Sequence, residues 1–196
     1  MYEIDRRTAL TGLSALLVAG CTTPSPAPKY PEITFTHVQP FRFDAATLDI
    51  VDTFKPTFAD PNVEHMMPIS PAASARRWAG DRIALAGENG RVVFSIVDAS
   101  VTETPLKRTT GVRGVVTADQ SERYDARLQV KLAVRSGDGR QRGEVMAEAN
   151  RSRTVAENLS LNEREKVWFE MTEVLIADLN SELETAIRKF LQLFLV

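Results

Sequence analysis

Cys21 is the one thiol in a chain of 196 residues, and its surroundings narrow what it can do. The apolar run Leu10 to Ala19 precedes it, and Val18-Ala19-Gly20 leads directly into it. Arg6 and Arg7 stand ahead of the run. A positive patch, a short apolar stretch and small residues before a cut point make a secretory signal peptide. A transmembrane helix needs about 20 apolar residues. The stretch from Ala9 to Ala19 is shorter and is interrupted by Thr11, Gly12 and Ser14, so it suits a signal and not an anchor. Behind Cys21 lies a Pro/Ser/Thr tract, so the thiol has no core to enter.

The other candidate chemistries are thinner. The two histidines are His37 and His65. Asp60, Glu64, His65, Met66 and Met67 could form a soft metal site in a proline-rich loop. No second histidine lies at ligand spacing, so no metal is expected there. Gly-x-Ser-x-Gly, the nucleophile elbow, does not occur. Counting alone leaves open a Ser-His-Asp triad assembled across the fold. Gly87-Glu88-Asn89-Gly90 and Ser136-Gly137-Asp138-Gly139 open no helix and carry no Gly-Lys-Ser/Thr, so they read as turns and not as phosphate loops. Glu163/Glu165 and Glu182/Glu184 pair naturally with Arg164, Lys166, Arg188 and Lys189 on a solvated helix face. The expectation is no catalytic residue, no cofactor and no enzyme. A net charge of −2 gives no electrostatic case for nucleic acid. With no second cysteine there is no internal disulfide, and stability must come from packing.

Three parts follow from composition: a signal over residues 1–20, a proline-rich tether over 21–31, and one domain over 32–196. The tether favours an extended form and could reach about 30 Å. In the domain, Glu32 to Gln39 alternates like a strand. Leu48 to Phe54 reads as a short strand or turn among prolines. Ser70 looks like an N-cap with Pro71 at the first helical position, and Ala72 to Ala86 continues as a helix that Gly87 ends. Trp78 on its apolar stripe reads as a core anchor. Arg91 to Glu103 is strongly β-prone, and Pro105 to Gln120 reads as a long connection.

Arg123 to Arg135 carries the cleanest pattern. Tyr124, Ala126, Leu128, Val130, Leu132 and Val134 point one way and charged residues the other, as in a strand with one wet face. Ser136 to Gly139 turns the chain, and Gln141 to Ser152 returns as its hairpin partner. Ser160-Leu161-Asn162-Glu163 is a capping box that opens a helix reaching to about Phe194. Its last apolar turns, with Phe190, Leu191 and Phe194, overrun a strand of usual length and are read as overhang or partner contact. The fold class expected is α+β: an antiparallel or mixed sheet of about four strands, with two helices packed on one face.

The leader and its cysteine resemble a bacterial lipoprotein signal. The resemblance implies cleavage after Gly20, a diacylglyceryl group on the Cys21 sulfur, and an acylated new amino group, palmitate being the usual chain. One acyl chain holds a protein only marginally, whereas two or three hold it firmly. Arg6-Arg7-Thr8-Ala9-Leu10 is similar to a twin-arginine export motif, with Asp5 where Ser or Thr is usual, and a plain positive n-region explains the pair equally well. In enteric bacteria an aspartate after the lipidated cysteine retains the protein in the inner membrane. Thr22 stands there instead, which implies the outer membrane, facing the periplasm.

The lipobox, the Arg123 to Arg153 hairpin and the closing helix after Ser160 together resemble the auxiliary lipoproteins of ABC-type lipid transport systems. By architecture they also resemble the lipopolysaccharide-assembly lipoprotein. The resemblance implies a membrane-anchored accessory module with an envelope protein partner. A second reading is a carrier that buries an acyl chain between sheet and helices, and a periplasmic hydrolase is a distant third.

Overall fold

A computed structural model describes residues 29–106, 120–156 and 159–196. In chain order it contains β1 (Phe41–Phe43), β2 (Thr47–Asp52), α1 (Pro71–Arg82), β3 (Ile83–Leu85), β4 (Arg91–Asp98), β5 (Val101–Pro105), β6 (Gln120–Arg135), β7 (Arg142–Ala156) and α2 (Leu161–Phe190). Single 3-10 turns lie at Glu64–Met66 and Gln192–Phe194. The fold is α+β, a five-stranded mixed sheet and a small parallel pair, with both helices packed on the sheet. The connection read into Pro105 to Gln120 lies mostly outside the described residues, at 107–119.

Alternation in β6 sets the centre. Tyr124, Ala126, Leu128, Val130 and Leu132 are buried, while Arg123, Arg127 and Lys131 face water. β7 runs back along one edge of β6, antiparallel from Arg142↔Arg135 to Ala156↔Gln120. The other edge of β6 is shared, with β4 pairing its second half and β5 its first. The single strand expected from Arg91 to Glu103 is therefore broken. A register shift falls between Ile96 and Asp98, and the Asp98 carboxylate accepts from the Ser100 N–H at 3.0 Å, turning the backbone before it resumes at Val101. β2 adds to β4 in parallel, from Thr47↔Arg91 to Asp52↔Ile96.

Two other expectations are corrected. Glu32 to Gln39 is not a strand. The Phe35 N–H donates to the Asp81 carboxylate of α1 at 2.8 Å, and the Val38 N–H donates to Phe35 O. The backbone there is satisfied by a helix side chain and a turn instead of a ladder. The first helix stops at Arg82, not Ala86. Ile83 to Leu85 leave it to pair in parallel with Phe41 to Phe43, a choice that suits a β-branched residue followed by extended backbone. Its start is as the residues dictate: Ser70 accepts from the Ala73 N–H, and Pro71 occupies the first turn.

The two helices run side by side in the same sense. Thr172 donates to Ile69 O, Trp78 donates to Asn180 at 2.9 Å, and Arg82 meets Glu184 at 3.2 Å. Trp78 is fully buried and stacks on Phe94 of β4, ring centroids 5.5 Å apart. Leu175, Ile176, Leu179, Leu183 and Ile187 of α2 seal the same face of the sheet. Burying apolar surface of this extent is the main stabilising term. The opposite face is wet and laced by Arg127–Glu148 at 2.9 Å and Lys131–Glu144 at 3.2 Å.

Candidate functional site

Arg6, Arg7, Gly20 and Cys21 lie outside the described residues. The chain enters the described domain at Lys29 and Tyr30. The Tyr30 ring stacks on Phe169, 5.0 Å between centroids, and its hydroxyl donates to Asn162 O. Residue 30 is thereby pinned beside the first turns of α2. The same end of the molecule holds a polar cluster. Arg164 contacts Glu122 at 2.9 Å and Glu103 at 3.8 Å, and the Tyr124 hydroxyl donates to Glu122 at 2.8 Å. Burial, reinforced by that hydrogen bond, pushes the Tyr124 phenol well above its ordinary value. Helical spacing alone puts Arg164 on the solvated face of α2 beside the paired glutamates. It points instead to the carboxylates of β5 and β6.

The opposite end is built by residues 190–196. α2 ends at Phe190 and the chain folds back through a 3-10 turn onto β1. The Asp44 N–H donates to Phe194 O, the Val196 N–H donates to Arg42 O, and Phe43 bridges Leu195. Leu191 and Phe194 are buried and belong to the core, so the expectation that they meet a partner is corrected. The reason is Gly143, where β7 begins. A Cβ there would lie 2.6 Å from Leu191 and from Phe194, so the missing side chain is the seat these two occupy. Phe190 is the member of the expected trio that faces outward, 61% exposed. Leu193 and Val196 join it, at 87% and 66% exposed. Lys189 lies over the Phe190 ring at 4.9 Å.

Beside this end sits a charged joint that the sequence did not reveal. Arg82 is only 1% exposed. Its guanidinium donates to Gln39 O and to Glu184, and it lies over the Phe41 ring at 4.8 Å. Arg188 covers the same ring at 5.4 Å and also pairs with Glu184, at 2.9 Å. Burial pulls the Arg82 pKa down, Glu184 raises it in part, and Arg188 opposes. Periodicity places Arg82 on α1 but cannot say that its partner lies a hundred residues away.

The soft metal candidates do not converge. Glu64 turns inward, His65 packs against the Phe58 ring at 5.5 Å, Met67 is buried and Met66 is exposed. Among the described residues no group of three or more His, Cys, Asp or Glu is placed to hold a metal ion. That loop instead walls a cavity of about 770 Å³ against Ile33 and the first turn of α1. No helix among the described residues is long and apolar enough to cross a membrane.

No protein-family model matches the chain, and no curated protein does. Among solved structures the chain is similar to a minor lipoprotein from Acinetobacter baumannii, at 14% identity and a TM-score of 0.36, over 77% of this chain and 96% of that one. It is also similar to a PelC dodecamer from Paraburkholderia phytofirmans, at 13% identity and a TM-score of 0.22, over 71% of this chain and 88% of that one. Likenesses this low carry no functional argument, and the functional reading rests on the chain's own residues.

Proposed function

We propose that this chain is a lipid-anchored periplasmic lipoprotein that serves as an interaction module in an envelope transport or assembly system, held in the outer membrane through Cys21. One observation carries the reading. The tether enters at one end of α2, and three exposed apolar side chains close together in the chain, Phe190, Leu193 and Val196, sit at the other. From Phe169 to Phe190 the helix rises about 32 Å at 1.5 Å per residue. An anchored protein that presents Phe190, Leu193 and Val196 so far from its tether offers them to a partner and not to its own membrane. Exposed apolar side chains gathered in one segment mark such surfaces.

The carrier reading, with an acyl chain between sheet and helices, is less well supported. That layer is filled by Trp78, Phe94, Leu128, Leu132, Leu175 and Leu179, all fully buried.

A photo-crosslinking residue in place of Leu193 tests the proposal in cells. Adducts with an envelope protein are expected from position 193 and not from position 127 on the wet face of the sheet. Adducts from neither position, or equally from both, would overturn it.

A further inference from the structure

Three arginines stand side by side across the sheet. Arg91 of β4 is the register partner of Arg135 of β6, and Arg135 is the register partner of Arg142 of β7. All three are exposed, on the face that the helices leave open. The Ser136 N–H donates to Gln141 O, so Arg135 and Arg142 form the next, non-hydrogen-bonded pair, the kind whose side chains stand closer. Like charges directly opposite on neighbouring strands are destabilising. Neither the fold nor the apolar tip accounts for this arrangement.

The carboxylates around it are committed elsewhere. Asp49 meets Arg91 at 2.5 Å, Glu144 meets Lys131 at 3.2 Å, and in the adjoining turn Asp138 meets Arg140 at 3.8 Å. Among the described residues no carboxylate pairs with Arg135 or Arg142, so two positive charges stay uncompensated. The three arginines line a depression of about 570 Å³ together with Val93, Ala133 and Glu144. A volume of this size suits a small ligand or a head group. Glu122, near the other end of β6, is the residue beside Arg164 and the first turns of α2, so the depression lies away from the tether.

We propose that this depression binds a phosphate monoester, with Arg135 and Arg142 clamping the phosphate and Arg91 as the third donor. A phosphate monoester carries close to two negative charges at neutral pH, which matches the two uncompensated guanidiniums. The planar fork of each guanidinium suits phosphate oxygens in pairs. A diester or a sulfate ester carries one charge and leaves one guanidinium unmatched. The same group occurs on soluble metabolites and on lipid heads, and the arms of the test separate these sources. The site is distinct from the tip at Phe190 and Leu193, so either can stand without the other.

The test uses the full chain carrying Cys21→Ser, which takes no lipid. Glycerol 1-phosphate, methyl sulfate and glycerol are titrated calorimetrically at one low ionic strength. Glycerol 1-phosphate is expected to bind at least about tenfold more tightly than methyl sulfate, and glycerol not to bind. Arg135→Gln and Arg142→Gln should each weaken glycerol 1-phosphate by at least about tenfold, whereas Arg127→Gln, farther along the same face, should change it by less than about twofold. Without ligand both variants should unfold at no lower denaturant concentration than the parent, because each relieves a like-charge pair. Phosphatidylcholine vesicles containing phosphatidic acid, or phosphatidylglycerol in equal amount, then identify the source. Sedimentation with phosphatidic acid vesicles that Arg142→Gln abolishes assigns a lipid head. No sedimentation, or the same with both lipids, assigns a soluble monoester. No binding of glycerol 1-phosphate, equal binding of methyl sulfate, or unchanged binding in both Arg135→Gln and Arg142→Gln would overturn the proposal. If a variant does not fold, the ligand series alone decides the matter.

Discussion

Arg82 holds a charge where almost no water reaches, and what surrounds it sets the order of mutational effects. Glu184 serves two guanidiniums, one buried and one in solvent. Removing Glu184 leaves Arg82 with a backbone carbonyl and a ring face, whereas removing Arg188 leaves the buried contact intact. Glu184→Gln should therefore cost about 2–3 kcal/mol, as for a charge-assisted hydrogen bond lost at a buried partner. Arg188→Gln should cost less than about 1 kcal/mol, as for an exposed i,i+4 pair. Denaturant midpoints check this, and equal losses would contradict the assigned roles. The sequence placed Glu184 beside Arg188 by helical spacing, which is local information. It gave no sign of Arg82, because that contact joins two helices and depends on the packed sheet. Trp78 was legible as a core anchor for the converse reason: a large ring on an apolar stripe must be buried whatever covers it.

At the scale of elements, both helix starts and the β6–β7 hairpin were readable because each is specified within a few residues. Ser160 accepts from the Glu163 N–H, and the Glu163 carboxylate accepts from the Ser160 hydroxyl and N–H. Those bonds from Ser160 hold Glu163 below the usual glutamate range. A lowered carboxylate pKa means the bond is fully stabilising above the ordinary value of about 4.3 and is lost as pH falls through the lowered one. Ser160→Ala should cost about 1 kcal/mol of cap stability at neutral pH. It should also move the Glu163 titration, followed by NMR, up toward its ordinary value. An unmoved titration would show that the capping box is not formed in solution. Two of the element ends that sequence misplaced share one feature: the end of α1 at Arg82 and the turn after Phe190 are each decided by a strand or a glycine distant in the chain. The break after Asp98 is local, made by its own carboxylate on the Ser100 N–H inside a β-prone run. A distant group again decides Glu32 to Gln39, where alternation suggested a strand and the Asp81 carboxylate captured the backbone instead.

For the whole molecule, the fold class was legible and the layout of its two ends was not. Periodicity supplies buried faces but does not say that residue 30 docks on Phe169 while residues 194–196 join β1. The anchoring proposal makes a prediction at this scale: Cys21→Ser should abolish palmitate labelling and move the protein from the membrane fraction to the soluble fraction. Continued labelling would refute lipidation at that thiol. The return of residues 194–196 to Arg42, Phe43 and Asp44 has a consequence for biogenesis. A ribosome delivers Phe43 long before Phe194, and the exit tunnel still conceals the later residue when most of the sheet has emerged. The latch cannot close until residues 194–196 have left the tunnel. Nascent chains arrested with residue 185 at the peptidyl-transfer centre should be cut rapidly by added protease, and chains extended past Val196 by a long linker should resist it.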